Sequence, residues 1–356
     1  MKKIIALLLI TISSFAQNGA PASPYYNSFN WNQTGTALKN ALATKITSTH
    51  TNQLSYSEVW NALKIVDLDP TNSSNVLLVY GYENGTDANV TNDRTRSKNS
   101  NGGAVGDWNR EHMFAQSLGN PDLGQSGPGA DAQMLRACDV QRNGERGNKL
   151  YAAGSGNSAT VGANWYPGDE WKGDAARIVM YMYLRYGSQC LPTFVSTGST
   201  VGTDSNMTSL LLQWNAEDPV SQYEDVRNTY LGNSSNTYGQ GNRNPFIDNP
   251  YLATLIWGGP VAQNRWPNIY LLNEQFDWTS DIAVFPNPTN NNKISISTKS
   301  SIDDIELISV NGQLIQKIEN PVLIDNAYTL ENLPKGFYLL KLSSENESIV
   351  KKVIVN

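Results

Sequence analysis

The 356-residue chain carries 26 Lys and Arg against 32 Asp and Glu, a formal net charge of −6, with only two His and two Cys. At roughly 150 residues per domain the length suits about two domains, and 39% hydrophobic residues with nine Trp are enough for a packed core, which excludes general disorder. Two cysteines are too few for a disulfide-built scaffold or a Cys-rich zinc site, and the acidic balance excludes a protein that holds nucleic acid through its overall field, though not a local basic groove.

In chain order, Lys2 and Lys3 precede an apolar run from Ile4 to Ile12 and a small-residue cleavage site at Ser14-Phe15-Ala16, so residues 1–16 read as a signal peptide. That run is too short to span ~30 Å of hydrocarbon, and no later run approaches a membrane helix. The product is expected to be exported, without a membrane span, and monomeric. Thr36 to Ile46 and Ser55 to Val66 predict helices, the second stopped by Asp69-Pro70, and Val76 to Tyr80 predicts a strand. Gly- and Asn-rich residues 83–107 predict mostly loop. The strongest helix is predicted over Asp169 to Tyr186, where Ala175, Ile178, Val179, Met182 and Tyr186 recur at helical spacing and Asp169 stands near the N-terminus.

After Trp278, the stretch Val284-Phe285-Pro286-Asn287-Pro288-Thr289 suits a domain junction. Short alternating runs follow over Ile294–Ser297, Ile305–Val310, Leu314–Ile318, Tyr328–Leu330, Gly336–Leu342 and Ile349–Val355, with Asn311-Gly312 as a hairpin turn. This is the pattern of a small all-β sandwich, and it shows no catalytic grouping.

The chemistry lies in the middle of the chain, in Asp107-Trp108-Asn109-Arg110-Glu111-His112 and in Arg136-Ala137-Cys138-Asp139 through Asn143-Gly144-Glu145-Arg146-Gly147-Asn148-Lys149. His50 has no charged neighbour in sequence and reads as a solvated surface histidine. His112 adjoins Glu111 and Arg110. A neutral imidazole of ordinary pKa ~6.5 can take a proton from water. Carboxylate and amide oxygens can hold a hard divalent ion, and arginines can grip phosphate. Taken alone, these residues suit phosphodiester hydrolysis and ordinary surface polarity about equally.

Their order and spelling decide between the two. Asn109-Arg110-Glu111-His112, Gln116-Ser117, Asp131, Leu135-Arg136 and Asn143-Gly144-Glu145-Arg146-Gly147-Asn148-Lys149 resemble the bacterial endonuclease I family of His-Me finger nucleases. The likeness continues through Trp165-Tyr166-Pro167, Lys172-Gly173-Asp174-Ala175-Ala176-Arg177, Trp214-Asn215, Asp218-Pro219-Val220-Ser221 and Gln240 to Asp248, covering roughly residues 50 to 260. It implies an α+β protein: a His-Me finger (ββα-metal) core within a mostly helical domain over residues 17–280, then a small immunoglobulin-like sandwich over 281–356. It implies His112 as general base, and Asn143 and Glu111 as ligands of Mg²⁺ or another divalent metal. Neighbours on a regular strand point to opposite faces, so Glu111 and His112 are expected to share a site only if the backbone turns or bulges.

A cationic side chain should stabilise the phosphate. Arg110, Arg136, Arg142 and Arg146 are all candidates, and Arg146, inside the best-matched block, ranks first. Two positions depart from the family's pattern. Gln133 stands where a His is common and cannot titrate, and Ala115 stands where a Pro is frequent. The Phe-Pro-Asn-Pro start, Pro334-Lys335-Gly336-Phe337-Tyr338 and Lys351-Lys352-Val353-Ile354-Val355 resemble a C-terminal sorting domain of the type IX secretion system. A carbohydrate- or surface-binding module is the alternative for that tail. Cys138 and Cys190 either pair or stay as buried thiols. The activity these resemblances imply is a secreted, metal-dependent endonuclease on DNA, RNA being an additional candidate substrate, with little sequence preference and 5′-phosphate products. Its competitors are a catalytically inactive surface nucleic-acid-binding or adhesion module and a small-substrate phosphodiesterase.

Overall fold

The computed structural model describes residues 19–83, 85–270, 282–298, 302–323, 327–344 and 347–356; the expected signal peptide lies outside them. The chain divides into two units, one ending at Tyr270 and the other beginning at Leu271. In the first, Leu38, Leu42 and Ile46 recur every fourth residue and bury one stripe of helix α1 (Gly35–Thr49). Helix α2 (Tyr56–Val66) opens on a capping box, with Ser55 and Glu58 each accepting from the other's backbone N–H. Val59, Ala62, Leu63 and Val66 bury its inner face.

Strands β1 (Leu68–Asp69), β2 (Asn72–Leu77) and β3 (Thr95–Ser97) form a small antiparallel sheet in that order. The strand expected over Val76–Tyr80 therefore starts and ends earlier than its apolar run suggested. Beyond Leu77 the chain leaves β3: Val79 donates its N–H to Ala137, and Tyr80 turns into the left-handed region at φ 71°. Gly81 must follow, because a Cβ there would lie 2.3 Å from the Asp93 carbonyl oxygen.

Strands β4 (Trp108–His112) and β5 (Leu135–Asp139) pair antiparallel, Trp108 opposite Asp139 and His112 opposite Leu135. Helix α3 (Val140–Arg146) starts immediately after β5, because the Asp139 carboxylate accepts from the N–H groups of Gln141 and Arg142 and caps it. A hairpin of β6 (Ala159–Val161) and β7 (Asn164–Tyr166) leads to α4 (Lys172–Tyr186). Asp169 is not part of α4. Its carboxylate accepts from the Gly156 N–H at 2.8 Å and from the Tyr166 hydroxyl, which fixes the loop ahead of the helix.

Residues Gly173 to Leu184 are buried without interruption, so α4 is the central helix of the unit rather than an amphipathic one. The chain continues through α5 (Pro192–Val195), β8 (Thr200–Val201), β9 (Asp204–Thr208), α6 (Ser209–Glu217), α7 (Gln222–Leu231), α8 (Pro245–Asp248) and α9 (Tyr251–Trp257). Helices α1, α5, α6 and α8 all pack on α4.

The described part of the second unit is all β. Strands β10 (Ala283–Phe285), β11 (Ile294–Ser297), β12 (Asp304–Ser309), β13 (Leu314–Glu319), β14 (Tyr328–Leu330), β15 (Gly336–Ser344) and β16 (Glu347–Val355) form two antiparallel sheets, β10-β11-β14 and β13-β12-β15-β16. Alternate residues of both, including Ile294, Ile296, Leu307, Leu340, Leu342 and Val353, share one buried core. The three-residue β10, inside the expected junction, is the strand that the alternation pattern did not reveal.

Candidate active site

Alternation along β4 sends Trp108, Arg110 and His112 to one face and Asn109 and Glu111 to the other. On the first face α2 supplies the partners. Trp60 lies 5.3 Å from Trp108 between ring centroids, and Tyr56 lies 5.7 Å from His112 at an interplanar angle of 31°. On the second face Asn109 meets α3, its Oδ1 accepting from Asn143 Nδ2 at 2.7 Å, while Glu111 meets Tyr80 and Arg146. The β4–β5 register runs without a break, so no bulge reconciles Glu111 with His112. The strand simply ends there. Both residues line one cavity of about 280 Å³ at the strand's end, together with Asn143, Arg146, Gln116, Ser117 and Asn148.

Each polar group of the cavity is held in a definite state. His112 Nε2 lies 3.0 Å from the Gly129 carbonyl oxygen. Because a carbonyl only accepts, the hydrogen sits on Nε2 and the lone pair on Nδ1. Burial lowers the imidazole to about 4, opposed by that bond to Gly129. Gly129 is itself constrained, since a Cβ would come within 1.9 Å of the Gly124 oxygen. Burial pushes the Glu111 carboxyl up to about 7, against the pull of Arg146 at 3.3 Å and the Tyr80 hydroxyl at 2.9 Å on Oε1. Asn143 turns its amide nitrogen to β4, towards Asn109 Oδ1 and the Arg110 carbonyl, which leaves Oδ1 as its group for the cavity.

These two oxygen donors suit a hard cation. A carboxylate whose negative form burial disfavours is stabilised by a nearby positive ion, and the amide oxygen is already oriented. Among the described residues no group of three or more His, Cys, Asp and Glu forms a metal cage. A cation here would be held by two protein groups and water, as Mg²⁺ commonly is.

Arg146, expected at the phosphate, lines the cavity but is buried and bonded within the protein. Its guanidinium is 1% exposed and donates to the carbonyls of His112 (3.0 Å), Gly147 (3.1 Å) and Met113 (3.1 Å), besides pairing with Glu111. It is a clamp between α3 and the end of β4. Arg136 pairs with Asp174 of α4 at 2.9 Å, and Arg142 with Glu145 at 2.9 Å and Ser158 Oγ at 2.7 Å. Arg110 lies on the rings of Tyr56 and Trp60.

Tyr80 and Tyr151 were not legible as site residues. Their hydroxyls meet at 2.9 Å beneath Glu111, and Tyr151 donates to the Met113 carbonyl at 2.9 Å. Both belong to apolar or mixed runs that carry no polar signal.

His50 is not a solvated surface residue. Its Nδ1 accepts from Arg185 Nε at 3.2 Å and its Nε2 lies 2.9 Å from Gln240 Nε2; burial lowers its pKa. Asp131, also in that network, accepts from Gln240, Tyr181 and Tyr186. Gln133, 1% exposed, donates to the Asn242 carbonyl at 3.0 Å and to Asn228 Oδ1 at 3.3 Å. That departure thus falls in the scaffold and not in the cavity wall. Cys138 and Cys190 are both free, buried thiols. The blocks after the cavity are scaffold as well, with Arg177 gripping Glu224 at 2.6 and 2.8 Å and the Gly173 N–H donating to Asp218.

The profile of the Endonuclease I family matches residues 34–251, and that of the secretion system C-terminal sorting domain matches residues 283–356. The extracellular ribonuclease of Bacillus subtilis (strain 168) is 44% identical over 254 residues, covering 67% of this chain and 82% of its own. The extracellular ribonuclease of Bacillus amyloliquefaciens is 42% identical over 257 residues, covering 69% and 82%. A solved chain from a study of PorZ, a surface component of the type-IX secretion system of Porphyromonas gingivalis, covers 24% of this chain and 12% of its own at 12% identity. Its TM-score of 0.19 carries no structural information. With its sorting domain the protein is secreted or held at the cell surface, and no helix among the described residues is long and apolar enough to cross a membrane.

Proposed function

The chain belongs to the endonuclease I family, and from that premise we propose that this secreted nuclease hydrolyses phosphodiester bonds in both RNA and DNA, with Mg²⁺ as cofactor and little sequence preference. The observation that carries the reading is the convergence of His112, Glu111 and Asn143 on one open cavity. The antiparallel β4–β5 pair followed at once by α3 is read as the His-Me finger, and the two-sheet tail as the immunoglobulin-like module that the secretion machinery recognises.

Glu111 and Asn143 would hold the metal. When bound, it supplies positive charge that offsets charge on the phosphate and on the departing oxygen. His112 takes a proton from the attacking water at Nδ1, while the Gly129 carbonyl holds Nε2–H and so fixes the ring. Arg146 positions rather than touches substrate. By fixing the carbonyls of His112 and Met113 and one oxygen of Glu111, it sets the distance between base and carboxylate. Tyr80 holds the same carboxylate oxygen from the core side. Attack by water with departure of the 3′ oxygen leaves 5′-phosphate ends. Because the nucleophile is water and not a 2′-hydroxyl, the chemistry does not require ribose. The names of both Bacillus relatives favour RNA as one substrate.

The test is cleavage of supercoiled plasmid and of a structureless RNA by the purified mature protein with Mg²⁺, with EDTA, and as His112→Ala. Cleavage of both polymers that stops in the two controls and leaves 5′-phosphates is expected. Cleavage surviving His112→Ala, or 2′,3′-cyclic phosphate products from RNA with DNA untouched, overturns the mechanism.

A further inference from the structure

Of the four arginines in the two charged segments, three pair with carboxylates: Arg136 with Asp174, Arg142 with Glu145 and Arg146 with Glu111. Arg110 is placed differently. Its Cζ lies 3.4 Å from the ring centroid of Tyr56 and 4.2 Å from that of Trp60. One terminal nitrogen, Nη1, donates to the Tyr56 carbonyl, and Nε is buried without a partner. The residue is half-buried, and among the described residues it makes no ion pair with a carboxylate. The two rings stabilise the cation by cation–π contact, but no carboxylate among the described residues neutralises its charge. Packing α2 on β4 does not require a cation, since an aliphatic side chain would fill the same space between the rings.

The surroundings say what the charge is for. Tyr56 and Trp60 stand four residues apart on α2 and so present one face. Arg110 and His112 stand two apart on β4 and do the same. The Tyr56 ring lies 5.7 Å from the His112 ring, which puts the guanidinium one ring away from the base. It stands on the face of β4 opposite the one that carries Glu111. Stacked on two rings and tied to a carbonyl through Nη1, the guanidinium is held in place, which leaves Nη2 and the positive charge for a phosphate oxygen.

Resting on the nuclease reading, and deepening it, we propose that Arg110, held on Tyr56 and Trp60, grips the phosphate next to the one being cleaved. The site then recognises at least two consecutive phosphates of a strand. It treats a polymer and a dinucleoside monophosphate differently, although the chemistry at His112 is the same for both.

The experiment measures binding and cleavage separately. Binding of a 12-nucleotide single-stranded RNA is followed by fluorescence anisotropy in EDTA across a salt series, for the full mature protein, Arg110→Gln and Arg110→Lys. Arg110→Gln keeps a flat amide that can stack and donate to Tyr56, but removes the charge. It should weaken binding about tenfold and reduce the slope of log K against log salt by about 0.7, the value for one single-strand phosphate contact. Arg110→Lys should keep most of the slope. In cleavage, Arg110→Gln should raise KM for the oligonucleotide about tenfold with kcat within about twofold, and should cleave a dinucleoside monophosphate as the wild type does.

An unchanged salt slope and unchanged KM in a folded Arg110→Gln overturn the proposal and leave Arg110 as a packing residue. If that variant does not fold, the wild type decides: equal KM for a dinucleoside monophosphate and for a trinucleotide also overturns it. Failure of the nuclease reading looks different. There the wild type binds without cleaving under any divalent metal, while the slope in EDTA still reports on Arg110.

Discussion

Replacing Arg146 with Met distinguishes a clamp from a phosphate contact. Methionine fills most of the volume and keeps contact with the Tyr151 ring, 5.1 Å from the guanidinium carbon. It removes the partner of Glu111 and the donors to the His112, Met113 and Gly147 carbonyls. Breaking a buried pair from one side costs about 3–5 kcal/mol. Each orphaned buried carbonyl costs about 1–3 kcal/mol more in isolation. These costs overlap, because the freed carboxyl, already raised to about 7 by burial, takes up a proton at neutral pH. A net loss of about 3–5 kcal/mol is therefore expected, or roughly 6–20 °C in Tm for a unit of this size. Adding Glu111→Gln, which still accepts from Tyr80, removes the stranded acid and should restore about 1–3 kcal/mol. Calorimetry of the two variants and of Glu111→Gln alone gives the cycle. If Arg146→Met unfolds within about 2 °C of wild type and loses only cleavage, Arg146 faces substrate and its assignment as a clamp is wrong.

Asn143→Ala should reduce kcat/KM at least about 100-fold and move the Mg²⁺ half-saturation upward; a titration with unchanged half-saturation would take Asn143 out of the metal site. Gln133→Ala strands the Asn242 carbonyl and should lower stability by about 1–3 kcal/mol with kcat within about twofold, read from urea unfolding and initial rates. Large loss of kcat at full stability would put Gln133 in the chemistry. Burial pushes the Cys190 thiol up to about 12 and Cys138 well above its ordinary value. At pH 8 neither is a thiolate, so a thiol reagent should react slowly with the native protein and count two thiols in denaturant. A count of zero in denaturant would establish the disulfide instead.

How much of this was legible in the sequence follows from where each residue's role is decided. The helices α1 and α2 were legible because local chemistry decides them: a four-residue apolar repeat in one and a capping box in the other. Helix α4 was legible as a helix but not as the centre of the unit, since burial on every side depends on elements far along the chain. Tyr80 was read as the end of a strand. A single residue at φ 71° is invisible in a composition of apolar residues, yet it is what turns that ring beneath Glu111.

The charged residues show the same division more sharply. Sequence proximity placed Arg110, Arg136, Arg142 and Arg146 beside His112 as candidates for phosphate, with Arg146 ranked first by its block, because a guanidinium looks the same in a string whether it is buried or not. Burial separates them. A cation with 1% exposure and a carboxylate at hand, as in Arg146 or Arg136, already has its charge paired inside the protein. In the block that best matched the family the arginine is buried and ion-paired, and the Lys172-to-Arg177 block is likewise an ion-paired brace. A motif marks what the fold needs as much as what the reaction needs. Under the proposed mechanism, the second kind are groups whose valence the protein leaves open: Nδ1 of His112, Oδ1 of Asn143 and the charge of Arg110.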